Sequence, residues 1–194
     1  MNNTQNLSSR FEEALLFANR LHARQKRKSS NTPYIAHLLS VTALVLEAGG
    51  SEDEAIAALL HDAVEDQGGK KTLREIEKRF GAQVAKIVES CSDAYTFPKP
   101  PWKLRKETYI AHIPDASPEA RRVSLADKLH NARSILRDLR LSGEETWAKF
   151  NGGKKGTLWY YRTLLDAYMA LEENFLVAEL ERVVSQIEEI SQDK

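Results

Sequence analysis

The segment from Ala55 to Asp66 contains the residues of this sequence that are best suited to chemistry. Residues 55–60 are all apolar, and the ionisable side chains His61, Asp62, Glu65 and Asp66 then follow in close succession. On a helix His61 shares a face with Glu65, and Asp62 shares a face with Asp66. Carboxylates crowded at the end of a buried helix repel one another and lose hydration, so a cation or a basic partner must compensate them. The segment predicts metal binding or acid–base catalysis, and the alternative is a helix end that emerges into solvent.

Two further segments offer ligands of the same kind. His37 stands at the start of a predicted helix with an apolar face, and Asp127 lies inside a largely apolar helix with Asn131 one turn further on. Taken singly, the histidine could be a hydrogen-bonded core residue and the aspartate could pair with Lys128 or Arg133. Taken together, two imidazoles and two carboxylates from three helices suit a divalent first-row ion with open positions for water. The candidate metal ligands are therefore His37, His61, Asp62 and Asp127.

The order of these ligands resembles the HD-domain metal-dependent phosphohydrolases, and several sequence blocks narrow the resemblance. Residues 22–29 and 33–37 look like the HxxQxRKS and PYxxH opening of RelA/SpoT-type alarmone hydrolase domains. Residues 59–66 match the LLHDxVED block of these domains, and residues 125–131 match their LADKLxN block. The chain most resembles the stand-alone small alarmone hydrolases, a group that includes the animal homologue of SpoT.

This resemblance implies an enzyme that removes the 3′-diphosphate of guanosine or adenosine alarmones, (p)ppGpp or (p)ppApp, as pyrophosphate in the stringent response. His37, His61, Asp62 and Asp127 would hold one divalent ion, typically Mn²⁺ in this family. Glu65 and Asp66 match the catalytic ED pair of the family, and which of them is acid and which is base stays open. The family's substrate-contacting positions correspond to Arg27, Lys28, Lys128 and Asn131. In addition, Tyr161 and Arg162 offer a ring and a guanidinium to a nucleotide, unless they belong to a core stripe.

Other features leave the substrate open. The loop Ser29-Ser30-Asn31-Thr32 departs from the Ser-Gly-Glu that family members often have, and it borders the expected base pocket. Adenine alarmones are therefore candidates beside guanine ones. The basic segment 97–106 could cover the phosphates as a lid, or it could be an exposed helix start. The rival functions are an HD phosphohydrolase acting on the 2′-phosphate of NADPH or on a 5′-nucleotide, and a non-catalytic helical binding module.

Composition narrows the class of protein. The 194 residues carry 28 basic and 28 acidic side chains, and zero net charge argues against a nucleic-acid-binding protein. The apolar run 55–60 is far shorter than the roughly 20 residues that cross a bilayer. The single cysteine, Cys91, suits a reducing cytosol. We expect a cytoplasmic protein with a small-molecule nucleotide partner, no nucleic acid and no membrane association, and a homo-oligomer is compatible with the sequence.

The elements that must position these residues are predicted to be helices throughout, because no segment alternates as a strand does. Capping boxes are expected at Ser9, Ser51 and Thr72, and glycines at 49–50, 68–69 and 81 end the helices before them. Further helices are expected at about 37–48, 82–92, 102–112, 118–142, 155–172 and 174–190, with a proline-rich loop at 97–101. The predicted fold is all-α, a single HD-type bundle of about nine or ten helices over residues 1–194. Its metal-site blocks span about 22–135, and its C-terminal helices span about 155–190.

Overall fold

The computed structural model describes residues 6–28, 30–92, 100–171 and 173–192 of the chain. Within these residues there are ten α-helices, one 3-10 helix and no strand, only an isolated bridge between Lys26 and Pro33. The all-α prediction is confirmed. The elements are α1 Ser9–Leu21, α2 Ile35–Glu47, α3 Glu52–Leu60, α4 Ala63–Asp66, α5 Lys70–Phe80, α6 Ala82–Cys91, α7 Trp102–His112, α8 Pro118–Ser142, the 3-10 helix Gly143–Lys149, α9 Gly153–Met169 and α10 Phe175–Gln192.

These helices divide into two compact units. The first unit comprises the described residues of 1–97 together with 117–126, and it contains α1 to α6 and the first part of α8. The second comprises the described residues of 98–116 together with those from 127 onward, and it contains α7, the rest of α8, the 3-10 helix, α9 and α10. A single domain over residues 1–194 stays a prediction. None of the helices in the described ranges is long and apolar enough to cross a membrane.

Helix α3 is the centre of the first unit. Every residue from Ala55 to Leu60 is fully buried, because α1, α2 and α6 all pack against this helix. The predicted capping box at its start is confirmed: Ser51 Oγ accepts from the Glu54 amide at 3.3 Å, and Glu54 Oε2 accepts from the Ser51 amide at 2.7 Å. The guanidinium of Arg122, from α8, pairs with the same buried carboxylate. The most apolar segment of the sequence is thus held in a fixed position ahead of His61.

The predicted stop after α2 is also confirmed. Gly49 has a φ of 75°, and its amide donates to the Leu46 carbonyl at 3.0 Å. The Gly50 amide donates to the Val45 carbonyl at 2.9 Å. Glycine adopts this left-handed conformation without strain, so the pair ends the helix and lets the chain turn into α3.

Three predicted boundaries in the first unit are wrong. The N-cap of α1 is Ser8, whose Oγ accepts from the Arg10 amide at 3.2 Å. Thr72 lies inside α5, and its hydroxyl donates to the Gln67 carbonyl at 2.6 Å. Short polar side chains can satisfy several neighbouring backbone groups, so sequence alone does not fix which group they choose. The single helix expected from residue 52 to 68 is two helices, α3 and α4, interrupted at residues 61–62.

The second unit is built around α9. Its buried residues Tyr160, Leu164 and Leu165 lie on a helix that packs against α7, α10 and the 3-10 helix. A Cβ on Gly152 would lie 2.6 Å from the ring of Trp102 at the start of α7, so the absence of a side chain permits this close packing. The predicted α7 and α8 are confirmed. Of the proline-rich loop predicted at 97–101, residues 97–99 lie outside the described part of the chain.

Candidate metal centre

Two buried histidines of the first unit meet one carboxylate. His37, on α2, is 1% exposed, and His61, directly after α3, is 2% exposed. Their Nε2 atoms lie 3.5 and 2.9 Å from Oδ2 of Asp62. The two imidazole rings contact each other edge to face, with centroids 5.2 Å apart. The fold therefore brings three of the predicted metal ligands together.

The interruption between α3 and α4 allows this meeting. His61 and Asp62 are neighbours in sequence, and consecutive side chains on a regular helix point in different directions. Helix α3 ends at Leu60 and α4 begins at Ala63, and between them Asp62 has a ψ of −4°, compared with about −42° in a regular helix. The break, which the sequence did not predict, brings the two side chains to one point.

The hydrogen bonds of this centre suit metal binding. His61 Nδ1 lies 2.7 Å from the Ala58 carbonyl oxygen, so Nδ1 carries the proton and Nε2 is the unprotonated nitrogen. The Tyr34 hydroxyl donates to Asp62 Oδ2 at 2.6 Å and orients that carboxylate. Imidazole nitrogens and carboxylate oxygens are ligands of divalent first-row ions. The donor set therefore fits the metal that the sequence implies.

Asp127 is the remaining predicted metal ligand. It is 6% exposed and lies on α8, in unbroken continuation of the part of this helix that belongs to the first unit. Its place as a ligand beside the histidines of the first unit stays a prediction.

Lys128 and Asn131, predicted to contact substrate, both bond to Asp127. Lys128 Nζ donates to Oδ2 at 2.7 Å, and Asn131 Nδ2 donates to Oδ1 at 2.6 Å. The lysine is thus one of the two pairing partners that the sequence left open for this aspartate. The other, Arg133, pairs with Glu179 on α10 at 2.8 Å. Substrate contact by Lys128 and Asn131 stays a prediction.

The predicted catalytic pair lies on α4. Glu65 is half-buried, whereas Asp66 is exposed and accepts a hydrogen bond on Oδ2 from Gln25 Nε2 at 2.6 Å. Lost hydration raises the pKa of Asp66; the Gln25 bond lowers it, and the charges of Asp62 and Glu65 raise it further. The net effect is that the pKa of Asp66 lies above its ordinary value. A carboxyl group whose pKa lies above its ordinary value exchanges protons more readily near neutral pH.

Gln25 connects Asp66 to two further side chains, those of His22 and Gln67. Its Oε1 accepts from Gln67 Nε2 at 2.6 Å and lies 2.7 Å from His22 Nδ1. His22 is 2% exposed, and burial lowers its pKa more than the Gln25 bond and the carboxylates of Asp62 and Asp66 raise it. The signal was present in the HxxQ motif: the chain turns after α1, and the Gln25 amide donates to the His22 carbonyl at 2.9 Å, which brings the two side chains together.

Tyr34 is the other functional residue that sequence reasoning missed. The guanidinium of Arg27 lies 5.7 Å from the centroid of the Tyr34 ring, and Arg27 is half-buried, whereas Lys28 is exposed. The same ring stacks on His22 at 5.2 Å and contacts the His37 ring edge to face at 5.4 Å. Tyr34 therefore links Arg27, which is predicted to bind substrate, to His37 and Asp62 of the candidate metal centre.

Tyr161 and Arg162, the remaining predicted substrate residues, lie on α9 in the second unit. Tyr161 is buried, and its ring contacts that of Tyr160 at a centroid distance of 5.4 Å. Arg162 Nε donates to Glu188 Oε1 of α10 at 2.9 Å. Both side chains thus help to pack the second unit, and their contact with substrate stays a prediction.

The buried histidines and aspartate on an all-α scaffold are what an HD domain would have, and the HD domain family matches residues 14–158 of this chain. The chain belongs to that family. It is 44% identical to the guanosine-3′,5′-bis(diphosphate) 3′-pyrophosphohydrolase MESH1 of Xenopus tropicalis over 140 residues, which cover 71% of this chain and 73% of the relative. It is 43% identical to MESH1 of Homo sapiens over 140 residues, which again cover 71% of this chain and 73% of the relative. A solved structure described as a metazoan orthologue of SpoT that hydrolyses ppGpp matches at a TM-score of 0.76 and 30% identity, covering 92% of this chain and 96% of the other.

Proposed function

We propose that this chain is a metal-dependent hydrolase that removes the 3′-diphosphate of ppGpp and related alarmones. The proposal rests on the convergence of His37 and His61 on Asp62 in a chain 44% identical to a named 3′-pyrophosphohydrolase. In the reaction, water adds to the phosphorus attached to the 3′ oxygen and the bond between that phosphorus and the 3′ oxygen breaks. The products are pyrophosphate and GDP or GTP, or the corresponding adenosine nucleotides.

The proposed metal ligands are His37, His61, Asp62 and Asp127, and Mn²⁺ is the proposed ion. A divalent ion in such a site lowers the pKa of water and neutralises phosphate charge. The surrounding hydrogen bonds favour this assignment, because Tyr34 orients one of the carboxylates at 2.6 Å and Lys128 compensates the charge of the other at 2.7 Å. Outer hydrogen bonds of this kind hold metal ligands in a productive orientation.

Glu65 and Asp66 are proposed to carry the protons. The reaction needs one carboxylate to accept a proton from the attacking water and a carboxyl group to donate one to the departing 3′ oxygen. The raised pKa of Asp66 favours a role in these transfers, and so does its place at the end of α4, the helix that begins directly after Asp62. Which of the two residues performs which transfer is left open by the geometry.

Arg27 and Lys28 are proposed to bind the nucleotide. A guanidinium can stack on a purine or pair with phosphate, and that of Arg27 lies 5.7 Å from the centroid of the Tyr34 ring. Lys128, Asn131, Tyr161 and Arg162 are proposed as further contacts. The absence of nucleic-acid partners, a homo-oligomeric state and a cytoplasmic location stay predictions from the sequence.

The test is hydrolysis by the purified protein supplied with Mn²⁺ and offered ppGpp, ppApp or NADPH, with products separated by anion-exchange chromatography. Pyrophosphate and a nucleoside 5′-diphosphate from ppGpp or ppApp are the expected products. Orthophosphate from NADPH alone would instead identify a 2′-phosphatase. No turnover of any of the three nucleotides with Mn²⁺ bound would contradict the enzymatic proposal.

Asp62→Ala is the matched control for this experiment. The side chain of Asp62 is 23% exposed and contacts the two histidines. Its loss should abolish turnover and Mn²⁺ binding while the helical circular dichroism remains, because α3 is held by its own packing and capping box. Turnover that survived in the variant would show that the metal ligands are wrongly assigned.

A further inference from the structure

The side chain of Gln25 occupies the junction of three polar groups beside the metal centre. Its Nε2 donates to Asp66 Oδ2 at 2.6 Å, and its Oε1 accepts from Gln67 Nε2 at 2.6 Å. The same Oε1 lies 2.7 Å from Nδ1 of the buried His22. These contacts are all within the first unit.

The charge of Asp66 fixes the orientation of this amide. The reverse orientation would place Gln25 Oε1 against a carboxylate oxygen, and two acceptors at 2.6 Å repel each other. With Nε2 facing Asp66, Oε1 can only accept, so the proton of His22 must lie on Nδ1. His22 Nε2 is then an unprotonated, buried acceptor, and it has no hydrogen-bond partner among the described residues.

The same bond distinguishes the two oxygens of the Asp66 carboxylate. Oδ2 is held by the Gln25 amide at 2.6 Å. A proton on Oδ2 would face this N–H group and would lose the hydrogen bond, whereas a proton on Oδ1 would leave the bond in place. The amide therefore directs proton exchange to Oδ1 and limits rotation of the carboxyl group.

We propose that Gln25 is a positioning residue for the reaction: it holds Asp66 by Oδ2, so that Oδ1 exchanges the proton, and it fixes His22 as the Nδ1–H tautomer. This inference rests on the proposed function for its catalytic consequence. The tautomer of His22 is a property of the resting protein and does not depend on which substrate the site accepts.

The kinetic test compares Gln25→Glu with Gln25→Met. The glutamate keeps the shape of the side chain and its acceptor oxygen but has an oxygen in place of the N–H donor. The methionine removes both the donor and the acceptor. Because Gln25 acts through Asp66, both variants should lower kcat by about 10- to 100-fold with little change in KM or in Mn²⁺ affinity. A merely structural role would spare the isosteric glutamate variant.

Gln67→Met is the matched control, because it removes an amide that donates to Gln25 without touching the bond to Asp66. Its loss of kcat should be clearly smaller than that of Gln25→Glu. Equal losses in the two variants, or a rise in KM at unchanged kcat in Gln25→Glu, would overturn the positioning role.

The second readout is the ¹⁵N spectrum of the His22 ring in protein supplied with diamagnetic Mg²⁺. Protonated and unprotonated ring nitrogens have well-separated shifts, so wild type should show a protonated Nδ1 and an unprotonated Nε2. Gln25→Met should lose this preference. A wild-type ring protonated on Nε2 would refute the amide orientation, whereas absence of alarmone turnover with the expected tautomer would refute only the proposed function.

Discussion

Replacing Tyr34 by phenylalanine tests whether the hydroxyl of this tyrosine supports the candidate metal centre. The change removes only the hydroxyl, which donates to Asp62 Oδ2 at 2.6 Å. The ring stays, so the stack on His22 and the contact with the Arg27 guanidinium are retained. The variant therefore tests the bond from the hydroxyl to Asp62 separately from the packing of the Tyr34 ring against His22 and Arg27.

The size of the effect follows from the charge and exposure of this bond. A hydrogen bond to a charged group contributes about 1.5–3 kcal/mol, and a tenfold change in affinity corresponds to about 1.4 kcal/mol. Tyr34 is half-buried, so water can replace part of the lost bond. We therefore expect Tyr34→Phe to weaken Mn²⁺ binding by about 10-fold, at the lower end of the about 10- to 100-fold range for outer hydrogen bonds of metal sites.

Isothermal titration calorimetry of Mn²⁺ into chelator-treated protein measures this change directly. Tyr168→Phe is the matched control, because it removes a hydroxyl from a tyrosine that is 1% exposed in the second unit and is not among the predicted ligands. The control should bind Mn²⁺ as the wild type does. At saturating Mn²⁺ the Tyr34→Phe protein should keep a nearly normal KM for ppGpp. An unchanged Mn²⁺ affinity in Tyr34→Phe would refute the argument that the hydroxyl orients Asp62.

Three further predictions concern the scaffold. Ser51→Ala should lower the free energy of unfolding in urea by about 1 kcal/mol, because it removes the cap of α3. Glu179 has its pKa lowered from 4.5 to about 2, chiefly by Arg182 and then by Arg133, so the stabilisation it gives is present above pH 4.5 and is lost as the pH falls toward 2. Glu179→Gln should therefore unfold at lower urea than wild type at pH 7, and the difference should shrink below pH 4.5. Gly152→Ala would place a Cβ 2.6 Å from the Trp102 ring and should destabilise the protein by about 1–3 kcal/mol, with a change in tryptophan fluorescence.

The start of a helix could be predicted from the sequence wherever the side chains near it can bond to only one set of backbone groups. The start of α3 was predictable because the side chains of Ser51 and Glu54 each satisfy the backbone amide of the other. The start of α5 was not, because Thr72 bonds to the Gln67 carbonyl instead of capping a helix. A threonine close to a helix start can satisfy either kind of backbone group, and tertiary packing decides between them.

The candidate site was predictable in its ligand types but not in its connections. The types of His37, His61, Asp62 and Asp127 suffice to suggest a metal centre, because few other functions need two imidazoles and two carboxylates on apolar helices. The bond from Tyr34 to Asp62 joins separate elements and depends on the break after Leu60. Sequence spacing reports neighbours within a helix, and it cannot report contacts that arise where a helix stops.

Asp62 and Asp66 lie close together in sequence, yet they have different side-chain partners, as their proposed roles in metal binding and proton transfer require. Residues four apart on a helical turn lie on the same face, so Asp62 and Asp66 are neighbours one turn apart. Here Asp62 lies ahead of α4 and contacts the histidines, whereas Asp66 ends α4 and bonds to Gln25 at 2.6 Å. The backbone turn between them persists, since the Asp66 amide donates to the Asp62 carbonyl at 3.0 Å. The two carboxylates are therefore held one turn apart by the backbone but are oriented by different partners, and this difference is what the proposed roles of one as ligand and the other as proton carrier require.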